Sequence, residues 1–148
     1  MLNADHIDAL LGERGLVLTQ QRRRIVAHLD GNLSHPTAAQ IYASVAPGVT
    51  LSTVYNTLAL LKDLGVVSEL PQHGGESRFD PNAAPHHHLL CSSCGALHDV
   101  PAEQVQVTLL ADARIGGQGS PDSGIAAAGI EQVQVSFLGR CPGGCPGH

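Results

Sequence analysis

The chain has 148 residues, ordinary apolar content and a formal net charge of −5, which allows one domain of usual size or two small ones. No apolar stretch approaches the roughly 18 residues of a membrane span, and Met1 to Gly12 lacks a basic start followed by an apolar block, so an intracellular, cytoplasmic protein with no membrane partner is expected. With two Phe, two Tyr and no Trp its cores must be built from Leu, Ile, Val and Ala, and a negative total charge requires any nucleic-acid interface to be local.

Residues 4–15 place Ile7, Leu10 and Leu11 at helical spacing, and Gly15 ends the run. Thr19 is an N-cap for a second helix with Ile25, Val26 and Leu29 inward; the same helix carries the positive cluster Arg22, Arg23 and Arg24, and Asp30-Gly31-Asn32 stops it. Thr37 and Gln40 stand in the capping-box relation, opening a third helix that runs to about Val45, before Pro47-Gly48. A fourth helix begins near Ser52 and ends at Gly65, with Val54, Leu58, Leu61 and Leu64 on one face. Residues 66–70 then read as a strand, 71–75 as a turn and 76–79 as a returning strand. Short helices followed by a hairpin are the layout of a winged helix.

The Pro-bracketed stretch Asp80 to Pro85 is the natural domain boundary, giving a first domain at 1–80, a linker at 81–85 and a second domain at 86–148. In the second domain, residues 87–91 and 96–100 read as strands around a CxxC turn, and residues 102–114 as a helix. Residues 116–124 read as a Gly-rich loop and 130–138 as an alternating strand. The expected class is α+β, and no internal repeat is found.

Three groups of residues carry chemistry. The first is the outer face of the fourth helix. At about 100° per residue, Ser52, Asn56, Ala59 and Asp63 project away from the apolar stripe, with Tyr55 at its edge. Small polar residues on the outer N-terminal face of a helix suit the major groove: Asn reads adenine edges, and Tyr reaches phosphate or a thymine methyl. With the cluster on the second helix, the candidate DNA contacts are Arg22, Arg23, Ser52, Thr53, Tyr55 and Asn56.

The second group is two cysteine pairs, Cys91-Ser-Ser-Cys94 and Cys141-Pro-Gly-Gly-Cys145. In a reducing compartment such pairs more often hold zinc than form disulfides. The third is His86-His87-His88 with Asp80, Asp99 and His35. On an extended strand His86 and His88 face one way and His87 the other. If His35, Asp80, His86, His88 and Asp99 converge, they offer three nitrogens and two oxygens. That set suits Fe(II) or Mn(II) better than a closed zinc site, with zinc or nickel as other occupants. An ion held from both domains would set their relative angle and act as a switch. His98 is expected to face away from Asp99, and His6, His28, His73 and His148 read as surface or packing residues.

His35-Pro-Thr-Ala, Thr53-Val-Tyr-Asn-Thr-Leu, Ser77-Arg-Phe-Asp80, His86-His-His88 and Cys91-x-x-Cys94-Gly occur in this order along nearly the whole chain. Together they resemble the ferric-uptake-regulator (Fur) family of metalloregulators. The resemblance implies an N-terminal winged-helix DNA-binding domain followed by a small α/β dimerisation domain. It implies a homodimer that represses from a palindromic, A/T-rich double-stranded DNA operator when metallated. It assigns Cys91, Cys94, Cys141 and Cys145 to structural zinc, and His35, Asp80, His86, His88 and Asp99 to a regulatory iron or manganese site of the peroxide-sensing type. In that branch Fe(II) reacts with hydrogen peroxide, a ligand histidine (here His35 or His86) is oxidised, and repression is relieved; Mn(II) binds without that reaction. Three departures are visible: the second cysteine pair is CxxxC rather than CxxC, the segment from Glu131 to Arg140 lacks the histidines and glutamate of an additional metal site, and the stretch from Gly116 to Gly124 reads as unusually flexible for a dimerisation domain.

The alternatives are an iron- or manganese-uptake regulator without peroxide sensing, a small non-haem metalloenzyme, and a zinc-ribbon-like interaction module. The sequence offers no general base beyond the metal ligands, so neither catalysis nor a small-molecule substrate is expected.

Overall fold

The computed structural model describes residues 2–71, 75–107 and 134–145. The chain divides into two compact units, Met1–Ala84 and Pro85–His148.

The first unit opens with helix α1 (Ala4–Glu13), capped by the Asn3 side chain, followed by α2 (Gln20–Leu29), capped by Thr19. Helix α3 (Ala38–Val45) begins with the capping box: Gln40 N–H donates to Thr37 Oγ1 at 3.2 Å, and Thr37 N–H donates to Gln40 Oε1 at 2.8 Å. Helix α4 (Leu51–Asp63) is capped by Thr50 rather than starting at Ser52. It ends in a Schellman turn, in which Gly65 (φ 68 at the equivalent Gly15, 70 here) lets its N–H reach Lys62 O while Val66 N–H reaches Leu61 O.

Strands β1 (Ser68–Leu70) and β2 (Arg78–Asp80) pair antiparallel, with Ser68 opposite Asp80 and Leu70 opposite Arg78. The strands are shorter than the apolar pattern predicts, and most of the expected turn, residues 72–74 including His73, lies outside the described residues. Ile7, Leu11, Ile25, Leu29, Ile41, Val54, Leu58, Leu61 and Phe79 form the core, an aliphatic cluster with one aromatic ring. This is the winged-helix arrangement, and it leaves the outer side of α4 exposed.

In the second unit, β3 (His86–Cys91) lies in the middle of a three-stranded sheet of order β4-β3-β5. It pairs antiparallel with β4 (Leu97–Pro101) and parallel with β5 (Ser136–Gly139). The predicted helix over 102–114 is not seen in its described part. Ala102–Gln104 makes one 3-10 turn and Val105 is already extended. Val105 and Val107 are β-branched and resist the helical rotamers there. The rest of that helix, the expected loop at 116–124, the first part of the expected strand at 130–138 and His148 lie outside the described residues. Among the described residues no helix is long and apolar enough to cross a membrane.

Candidate metal centres and nucleic-acid face

His35 and Asp80 are brought together inside the first unit by backbone pairing. The segment entering α3 runs beside β2: Thr37 bridges Arg78, Phe79 N–H donates to Pro36 O at 3.0 Å, and Arg78 Nη1 donates to His35 O at 3.2 Å. His35 is held at φ 50, the left-handed region that few side-chain-bearing residues adopt. Its Nε2 then lies 3.9 Å from Asp80 Oδ1, and both side chains are buried. Asp80 Oδ1 is steadied by the Asn82 N–H at 2.8 Å. A buried, aligned imidazole and carboxylate are two ligands of the right kind for a divalent ion.

The second unit carries its own group. Strand alternation puts His86 and His88 on one face, with ring centroids 4.5 Å apart and Nε2 atoms 3.0 Å apart. His86 Nε2 is also 3.8 Å from Asp99 Oδ1 on the neighbouring strand, where His88 stands opposite Asp99 in the register. Two nitrogens bound at right angles to one ion, at bond lengths of about 2.1 Å, lie about 3 Å apart. His87 faces elsewhere, with its Nδ1 accepting the Val135 N–H at 3.3 Å. His86, His87 and His88 are all buried, so the run is not an exposed polar tract.

The four cysteines meet at the end of the same sheet. Their sulfurs all lie within 4.8 Å of one another, with Cys94 and Cys141 at 3.4 Å and Cys91 and Cys145 at 3.6 Å. These separations are far beyond an S–S bond of about 2.05 Å, and the cysteines are free thiols. They are near the roughly 3.8 Å edge of a tetrahedron of thiolates around zinc. The extra residue of the CxxxC hook is absorbed by Gly143 and Gly144, at φ 79 and 98.

The thiols of Cys91, Cys141 and Cys145 are shifted by their neighbours. The backbone N–H groups of Cys94 and Ser93 bring the Cys91 thiol down to about 5. Cys141 is pushed up, first by Cys94 and then by burial, and Cys145 is pushed up chiefly by Cys91 and Cys94. Without a cation the cluster resists holding several negative charges; a bound divalent metal removes that resistance.

Two contacts were missed by the sequence reading. His98 does face away from Asp99, but its Nε2 lies 3.3 Å from Cys141 Sγ, against the cysteine cluster. The strand alternation that separates it from Asp99 was the available signal; that Cys141 would stand on the far side was not. Gln134, from the segment leading into β5, reaches His88 Nδ1 at 3.0 Å. Of the other histidines, His6 is exposed and His28 is half-buried, within 3.5 Å of the Asn32 side-chain nitrogen.

On α4, Ser52, Tyr55 and Asn56 are exposed, whereas Val54, Thr57, Leu58 and Leu61 are buried. Thr53 is half-buried and its hydroxyl shares a 2.8 Å hydrogen bond with Thr50 at the helix cap. The arginines of α2 are less available than their clustering implies. Arg23 pairs with Asp8 at 2.5 Å, and Arg22 Nη1 donates to Val17 O at 3.1 Å. Arg24 closes the C-terminal end of α3 through the carbonyls of Val45 and Pro47.

Comparison with known proteins gives a consistent picture. The sequence model described as "Ferric uptake regulator family" matches residues 13–114. The "Peroxide-responsive repressor PerR" of Staphylococcus aureus is 37% identical over 100 residues, 66% of this chain and 68% of that protein. The protein of the same description from Staphylococcus epidermidis is 39% identical over 94 residues, 62% of this chain and 63% of that one. Among solved structures, PerR from Streptococcus pyogenes is 25% identical with a TM-score of 0.50, covering 96% of this chain and 93% of that one. The ferric uptake regulator of Helicobacter pylori shares the fold, with a TM-score of 0.67 at 18% identity over 94% of this chain and 89% of that one.

Proposed function

The chain belongs to the ferric uptake regulator family, and from that premise we propose that it is a metal-dependent transcriptional repressor that responds to peroxide. It acts as a homodimer on a palindromic, A/T-rich DNA operator and is a regulator rather than an enzyme. The observation that carries the reading is the group of buried His86 and His88 with half-buried Asp99, in which two imidazole nitrogens lie 3.0 Å apart.

In this reading one divalent ion is shared by His35 and Asp80 from the first unit and by His86, His88 and Asp99 from the second. Support comes from the proximity of ligand types within each unit, with His35 3.9 Å from Asp80 and His86 3.8 Å from Asp99. Three imidazoles and two carboxylates suit Fe(II) or Mn(II). A ferrous ion held by these residues would supply the activation of hydrogen peroxide. The chain's residues do the rest. Asp80 and Asp99 balance the ion's charge, and His35 and His86 offer rings whose oxidation weakens the site. Losing a ligand from either unit unties the two, so the reading heads of the dimer lose their common spacing.

Cys91, Cys94, Cys141 and Cys145 hold a structural zinc ion that stabilises the second unit. DNA contact falls to Ser52, Tyr55 and Asn56 on α4, with Thr53 at its N-terminal edge and Arg22 and Arg23 on α2 toward phosphate. The partial pairing of these arginines supports a positioning role for them and leaves base reading to α4.

The test is an operator-shift assay on anaerobically purified, zinc-containing protein loaded with Fe(II) or Mn(II), before and after hydrogen peroxide. Both metals should support binding, and peroxide should release only the Fe(II) form. Release of neither form would leave an uptake regulator without peroxide sensing. DNA binding indifferent to either metal would remove the regulatory site altogether.

A further inference from the structure

His98 lies on β4, opposite Leu89 of β3 and half-buried, with its Nε2 3.3 Å from Cys141 Sγ. It is not one of the four residues whose ligand atoms cluster at the thiol centre, and the regulatory site does not use it. Resting on the zinc assignment above, we propose that His98 is a positioning residue for that centre, donating its Nε2–H to the Cys141 thiolate and slowing zinc loss.

The argument starts from charge. Zinc with four thiolates carries a net charge of −2, and the excess resides on the sulfurs. A metal-bound thiolate has lone pairs and no proton, so an imidazole nitrogen facing it has to be the N–H donor. Such a bond withdraws electron density from sulfur, makes it a poorer nucleophile toward competing reagents, and fixes its direction.

The four sulfurs are not equally supported. Cys91 sits in the CxxC turn, where the backbone N–H groups of Ser93 and Cys94 serve it. Cys141 begins a longer hook in which both Gly143 and Gly144 have positive φ. Glycines leave that hook with more conformational freedom, so a Cys141 sulfur held only by the metal would dissociate more readily. His98 ties this sulfur to a strand already paired with β3. The interaction therefore offsets the looseness of the CxxxC spacing.

Gln and Phe substitutions separate the donor from the ring. The amide nitrogen of Gln reaches nearly the same distance from Cα as His Nε2, whereas Phe keeps the ring and lacks the donor. The experiment uses the full-length zinc-loaded protein and measures zinc transfer to a colorimetric chelator at constant pH, after zinc content and circular dichroism confirm loading and folding. His98→Phe should release zinc about tenfold faster than wild type, and His98→Gln should stay within about twofold of it. A second readout needs no variant: in the zinc-loaded wild type the His98 Nε2 proton should be visible by NMR and protected from exchange.

Equal release rates for wild type and His98→Phe would overturn the proposal, as would a Gln variant as fast as Phe or an unprotected Nε2 proton. A wild-type protein that holds no zinc would instead overturn the zinc reading, and this inference with it.

Discussion

Arg78 donates a hydrogen bond to the backbone carbonyl of His35 at 3.2 Å, joining the strand that ends at Asp80 to the turn that presents the histidine. Residues 43 positions apart are thereby set side by side. Arg78→Met keeps the aliphatic stem and removes the donor. It should cost about 1–2 kcal/mol of stability and weaken the regulatory metal. Urea unfolding and metal titration would measure both; no change in either would show that the contact positions nothing.

His86→Ala and Asp80→Ala should each abolish metal-dependent DNA binding while zinc content and dimer mass stay at wild-type values. The two residues belong to different units, so the same phenotype from both is what a shared ion requires. Operator-shift assays with elemental analysis and light scattering would read it. If either variant still answers to Fe(II) or Mn(II), that residue is not a ligand.

Removing a structural ligand should act differently. Cys94→Ser deletes one of four sulfurs that lie within 4.8 Å of each other. Structural zinc contributes on the order of 10 kcal/mol to small domains, more than a unit of this size is expected to spare. The variant should lose zinc and the second unit's circular dichroism signal, and strong chelation of the wild type should do the same. A folded, dimeric Cys94→Ser protein would contradict the zinc assignment.

Gln134 should tune the regulatory site from outside. Its side chain meets His88 Nδ1 at 3.0 Å, and by turning its amide it can accept the Nδ1–H of a histidine that uses Nε2 for metal. Gln134→Leu should weaken regulatory metal binding about 10- to 100-fold without altering zinc content. Isothermal titration with Mn(II) is the measurement, and unchanged affinity would deny the contact a role.

The two faces of α4 should separate stability from DNA affinity. Leu58 is 1% exposed, and Leu58→Ala should destabilise the fold by about 2–4 kcal/mol. Asn56 is exposed, so Asn56→Ala should leave the unfolding midpoint in place while weakening operator binding by about 1–3 kcal/mol. A loss of operator affinity that tracks stability in both variants would place the DNA face elsewhere.

Much of this was legible in the residue order because it is local. Helix caps at Thr19 and Thr37, the aliphatic stripe of α4 and the alternation of His86 and His88 depend on spacings of a few residues. Those spacings are dictated by backbone geometry, whatever the rest of the chain does. The candidate donor groups stand out in the residue order for the same reason: sulfur pairs and imidazole–carboxylate sets have few uses.

Tertiary structure alone decided where long-range partners fall. It engaged Arg23 with Asp8 and Arg24 with the end of α3, so a cluster that reads as free positive charge is partly internal. It placed β5 parallel to β3, bringing Gln134 to His88, and set His98 against Cys141. None of these follows from periodicity, because each joins residues from separate elements, and their meeting depends on how those elements pack. The sequence determines which atoms are available for chemistry; packing determines which of them face one another.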